Sequence, residues 1–195
     1  MPFQQQPARS LFEAFRRLVP GRRTYSASQT RHPGAELGAL VNFLAALPSN
    51  ALPPSVNPHA YIDPDLVLDF EPRSADDAEV DAMVEDAWMR NPVVVFSELH
   101  SPAAPASREM KGAFEALALR PGMTVFEIDQ RVDATVLRPL LQRLTRGAQL
   151  PFALVGGRTL TLTELRAEVK SGALADRLAR AGAVINGAKL RRRMY

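Results

Sequence analysis

Cysteine is absent from this chain of 195 residues. That excludes a disulfide framework, thiolate zinc sites and any reaction that needs a thiolate. Histidine occurs only at positions 32, 59 and 100, too scattered for a histidine metal site, so no metal is expected. No apolar run approaches the roughly 20 residues of a bilayer span, so a soluble or membrane-peripheral chain is expected. Proline, by contrast, occurs 16 times. The length suits one domain of roughly 100–150 residues with extensions.

The net charge of +3 hides an asymmetry. Residues 1–31 carry Arg9, Arg16, Arg17, Arg22, Arg23 and Arg31 against Glu13 alone. The tail carries Lys189, Arg191, Arg192 and Arg193, which leaves a charge of −6 on the body between. A basic isoelectric point therefore does not imply a basic nucleic-acid-binding face. The three tail arginines can meet phosphates, anionic lipid headgroups or an acidic protein surface, and no aromatic platform for stacking bases lies beside them.

Residues 1–28 are rich in Arg, Gln and Ser and poor in acids. Leu11, Phe12, Phe15, Leu18 and Val19 share one side of a short helix. This is the pattern of a mitochondrial transit peptide, and Arg23-Thr24-Tyr25-Ser26 is similar to a presequence processing site. The alternative is a basic amphipathic helix that binds a partner or an anionic surface. The expected location is mitochondrial, in the matrix or on the matrix side of the inner membrane.

Leu37, Leu40, Val41, Leu44 and Leu47 predict a short helix ended by Pro48. Six prolines between positions 48 and 72 then exclude regular structure. Tyr61, Ile62, Leu66, Val67, Leu68 and Phe70 make this stretch too apolar for a plain linker, so residues 29–73 read as an extended arm that lies on a partner. Ser74 is a good N-cap, with carboxylates in the first turn after it. Val80, Met83, Val84, Ala87 and Trp88 then form one apolar helical stripe. The acids at positions 76, 77, 79, 81, 85 and 86 fit no calcium loop and read as a solvated face.

From Val93 onward the pattern is more regular. Val93–Phe96 is a continuous apolar strand, of the kind covered on both faces. Ser107 opens a helix with Met110, Phe114 and Leu117, and Met123–Ile128 is a second strand. Leu137, Leu140, Leu141 and Leu144 mark a helix over 135–145, closed by Gly147. Phe152–Val155 and Arg158–Thr161 flank Gly156-Gly157, a two-residue hairpin signal. A last helix runs from Thr163 to about Arg180, interrupted at Gly172.

Helix, strand, helix, strand, helix, strand, strand, helix is the order of the glutaredoxin form of the thioredoxin fold. From Asn91 to Ile185 the chain resembles a glutaredoxin, with anchors at Ser101-Pro102, Glu127-Ile128-Asp129, Leu150-Pro151, Gly156-Gly157 and Glu164-Leu165. The resemblance implies an α/β, thioredoxin-like fold: a four-stranded mixed sheet flanked by helices, over residues 74–186, followed by a basic tail over 187–195. It also implies a cis Leu150–Pro151 bond. The family's Cys-Pro-Tyr-Cys motif falls on Ser101-Pro102-Ala103-Ala104. Ser101 thus stands at the nucleophilic position and Ala104 at the resolving one, and neither can carry disulfide exchange. His100 is the nearest base for a serine nucleophile, but no orienting group is evident.

Glutathione recognition is eroded by the same comparison. The lysine that the family commonly places three residues before its first cysteine is Glu98 here, which would repel a carboxylate. The backbone of Leu150-Pro151 and the helix start at Thr163 and Glu164 remain as a residual glutathione site. No cofactor is expected apart from this remnant. The chain therefore reads as a redox-inactive accessory subunit whose partners are proteins of a larger mitochondrial assembly. Thioredoxin-like domains serve in this way in respiratory complex I and in mitoribosomes. The alternatives are a non-catalytic glutathione-binding or glutathione-sensing protein, a remnant glutathione-dependent oxidoreductase, and an enzyme with new chemistry at Ser101 and His100.

Overall fold

The structure, a computed structural model, describes residues 34–61 and 77–185 and centres on strand β1 (Val93–Ser97), all five of whose residues are buried. β1 pairs in parallel with β3 (Thr124–Glu127) on one side, in the register Phe96 to Phe126. On the other side it pairs antiparallel with β4 (Phe152–Val155), in the register Phe96 to Phe152. β4 continues antiparallel into the edge strand β5 (Arg158–Thr161), giving the order β3-β1-β4-β5. The turn between β4 and β5 consists of Gly156 and Gly157, both at positive φ (56° and 76°). A two-residue turn matched to the twist of its strands needs that conformation, and glycine adopts it without strain.

Side chains alternate across the sheet, as a period of two requires. Val94, Phe96, Phe126, Phe152 and Leu154 face one layer, with the Phe96 ring 5.4 Å from Phe126 and 5.2 Å from Phe152. That layer contains α1 (Ala35–Ala46) and α4 (Ala134–Leu144), through Leu40, Leu44, Leu137 and Leu141. Val93, Val95, Ala153, Val155 and Leu160 face the other layer. It is supplied by Met110 and Phe114 of α3 (Ala104–Glu115), Leu165 of α5 (Leu162–Ser171), and Leu174 and Leu178 of α6 (Ala173–Arg180). Helices thus cover both faces of a mixed four-stranded sheet, which is the expected glutaredoxin-like thioredoxin fold.

α1 departs from its expected place on an arm. Every residue from Ala35 to Val41 is buried, and α2 (Asp77–Arg90) packs along it. A helix that is apolar nearly all round belongs inside a core. Gly38 brings the two helices close: a Cβ there would lie 2.5 Å from Val84 Cγ1. The chain after α1 also lies on its own domain as far as residue 61. Leu52 is buried, and its N–H donates to the Asp133 carboxylate at 2.7 Å. Arg143 of α4 pairs with buried Glu36 of α1 and donates to the carbonyls of Pro58 (2.7 Å) and Ala60 (2.8 Å). The expected arm over 29–73 is therefore corrected for 34–61, which is integral to the domain, so the boundary expected at residue 74 does not mark where the domain begins. The apolar residues 62–70, the Ser74 cap, the transit segment 1–28 and the tail from 187 on lie outside the described residues.

Three local elements also differ from the sequence pattern. α3 begins at Ala104 rather than Ser107, because Ser101 Oγ takes the Ala103 N–H and starts the turn earlier. The last helix is two helices, divided at Gly172, whose φ of 82° ends α5 in the left-handed conformation. A second, two-stranded sheet pairs β2 (Leu119–Arg120) with β6 (Val184–Ile185), segments too short for a periodic signal. The Leu150–Pro151 bond is cis, as expected, and so is Arg120–Pro121.

Candidate functional site

The loop after β1 is held from two sides. The N–H of Glu98 donates to Ser107 Oγ at 3.1 Å, with Ser107 fully buried on α3. Placing Ser107 inside the helix gives that buried hydroxyl its task. From the other side, the Asp129 carboxylate accepts the N–H groups of Leu99 (2.9 Å) and His100 (2.7 Å). Partial desolvation pushes the Asp129 carboxyl up. The donated N–H groups outweigh it and hold the group below its ordinary value.

Within this frame the Ser101 hydroxyl is engaged twice. It accepts the Ala103 N–H at 3.0 Å and donates to Glu98 Oε2. The other oxygen of Glu98 is taken by Arg138 Nη1 of α4. Glu98 is only 6% exposed, so its charge is compensated internally instead of facing an incoming carboxylate. Sequence reasoning missed Arg138, because its contact spans 40 positions and leaves no local signature. The His100 side chain is exposed, and no hydrogen bond joins its ring to Ser101 among the described residues. Ala104, expected at the resolving position, is a buried first-turn alanine.

Leu150 and Glu98 line one small cavity of about 150 Å³, together with Arg138, Gln142, Gln149 and Phe152. That is well below the roughly 300–1,000 Å³ of pockets that enclose small ligands. Pro151 is buried beside it in sequence. Thr163 and Glu164 do not line this cavity. Strand register places them at the same end of the sheet, since Thr161 pairs with Phe152, and Phe152 with Phe96. The N-cap of α5 is Thr161, not Thr163. Glu164 is occupied by a capping box, accepting from Thr161 N–H at 2.8 Å and Thr161 Oγ1 at 2.9 Å. Those bonds hold its carboxyl below the usual range. Thr163 is exposed on the first turn. Among the described residues no group of three His, Asp or Glu side chains could hold a metal, and no helix is long and apolar enough to cross a membrane.

Topology defines the class: a glutaredoxin-like thioredoxin fold, with the Ser101 loop directly after its first strand. Solved structures similar to this chain include the buckwheat glutaredoxin–glutathione complex, 20% identical, covering 53% of this chain and 90% of its own, with a TM-score of 0.41. Oxidized glutaredoxin 2 from Chlamydomonas reinhardtii is 26% identical over 54% of this chain and 95% of its own, with a TM-score of 0.42. Wheat glutaredoxin is 24% identical over 53% and 93%, with a TM-score of 0.41. No protein-family model matches the sequence, and comparison with curated proteins gives no significant match.

Proposed function

We propose that this chain is a redox-inactive glutaredoxin-like protein of mitochondria, an accessory or architectural subunit of a larger assembly such as a respiratory complex or the mitoribosome. The observation that carries the loss of chemistry is the Ser101 hydroxyl, engaged by Glu98 and by the Ala103 N–H at the position where thiol exchange needs a free thiolate. The mitochondrial setting rests on the arginine-rich, acid-poor segment 1–28. An architectural role accords with a core enlarged by α1, an addition that ties residues 34–61 to the domain.

The decisive experiment is affinity purification of the tagged full-length chain from mitochondria, with a glutathione-coupled disulfide reduction assay on the purified protein. Stoichiometric co-purification with one assembly and no reductase activity are expected. Monomeric protein without partners would end the architectural reading. A second reading, glutathione binding without catalysis, has one feature in its favour: Leu150 and the Arg138 cation share a cavity. The volume of that cavity and the occupied Glu164 weigh against it. Calorimetric titration with glutathione separates the two.

A further inference from the structure

The end of the sheet remote from Ser101 carries two cavities of about 530 Å³ each, and they share Gly156, Arg180 and Ala181. The first is lined by Arg158, Arg177 and Arg180, with Glu168 as its one acidic residue. Arg177 is fixed there: it bonds Glu168 at 2.5 Å and the Thr159 carbonyl at 3.0 Å. The side chains of Arg158 and Arg180 have no hydrogen-bond or ion-pair partner among the described residues. On a body whose net charge is −6, this is a local concentration of uncommitted positive charge.

The second cavity is lined by apolar and acidic residues of α2. Val84, Trp88 and Met89 are its large apolar residues, and Asp81 and Glu85 its acids. The indole is seated by two glycines. A Cβ at Gly157 would lie 3.0 Å from Trp88 Cε2, and one at Gly38 3.2 Å from its Nε1. Met89, 61% exposed, follows it on α2 and lines the same cavity.

The geometry points to a docking groove for an acidic segment of a partner protein. Its carboxylates would meet Arg158 and Arg180, and an apolar side chain next to them would lie over Trp88 and Met89. Asp81 and Glu85 set the direction, because they line only the second cavity and repel the acidic end of the segment from it. This inference rests on the architectural reading above and names the surface through which assembly occurs. It is independent of the Ser101 loop, which lies past the opposite end of β1.

The test places the photo-crosslinking residue p-benzoylphenylalanine at Met89 of the full-length chain in its own mitochondria and sequences the cross-linked peptide. The expected product is a segment of another protein, negatively charged, with a large apolar side chain. The Arg158→Glu/Arg180→Glu variant should lower the yield by about tenfold or more, since like charges at an interface cost several kcal/mol. Should that variant fold poorly, Arg158→Gln/Arg180→Gln with a salt series gives the same readout. A cross-link to this chain itself, to a second copy or to a segment that is not acidic overturns the inference. So does a yield indifferent to charge reversal, or no cross-link at all. If the assembly still co-purifies while the cross-link fails, only the groove is lost. If nothing co-purifies, the architectural reading falls as well.

Discussion

The Ser101 hydroxyl donates a hydrogen bond to Glu98, three residues earlier, and the accepting carboxylate is buried and bound by Arg138. A thiolate placed at Ser101 would therefore face a carboxylate rather than a cation, which opposes the ionisation that thiol exchange requires. Helix α3 begins three residues on, at Ala104, and its N-terminus favours negative charge, which works against this effect.

The Ser101→Cys variant tests this directly. Its thiol is expected to titrate at or above the ordinary value of about 8.5 and to give at most weak glutathione-coupled activity. Adding Glu98→Gln should lower the thiol pKa and raise the rate of iodoacetamide alkylation at pH 7. An alkylation profile with a midpoint well below 7 in the single variant would show that Glu98 does not govern the site.

Arg138→Met leaves Glu98 buried without its cation. A loss of about 1–3 kcal/mol is expected from the unsatisfied carboxylate, moderated because the Arg138 side chain is 41% exposed. Arg138→Met with Glu98→Gln should recover part of that loss. Urea unfolding of the four proteins of the cycle measures it, and strict additivity would mean that the pair is not coupled.

Asp129 gives a prediction with a sign in pH. Its folded carboxyl lies below the ordinary value of about 3.9, so the unfolded chain binds more protons in acid. The stabilisation is complete above the unfolded value and is lost as pH falls through the folded one. Wild type and Asp129→Asn should therefore differ in thermal midpoint at pH 7 and converge towards pH 3. A constant difference across that range would assign the effect to hydrogen-bond geometry instead of charge.

Packing of α1 is tested at Gly38. Gly38→Ala forces a methyl group against Val84 Cγ1, a strain expected to cost about 1–3 kcal/mol. Val84→Ala in the same chain should relieve most of it. Leu40→Ala, at a position 2% exposed, is expected to cost about 2–5 kcal/mol. A negligible loss for Leu40→Ala would place α1 outside the folded core.

Much of this was legible in the residues themselves. Val93–Phe96, the hairpin at Gly156-Gly157 and the leucine stripe of α4 are local patterns whose periods of two and 3.6 read directly as strand, turn and helix. The absence of cysteine, which leaves no thiolate in the chain, was read from the sequence alone. The partner of Glu98, the occupation of Glu164 and the burial of α1 were decided by tertiary structure, though each for a different reason. Arg138 lies 40 positions from Glu98, a separation that no local pattern encodes. Glu164 could have been recognised as the third position of a capping box starting at Thr161, but only once the helix start was known. The burial of α1 was half visible, since Ala35–Ala46 lacks a polar face. Which surface would enclose it depended on the sheet and on Arg143, which join it from about 50 to 100 residues away.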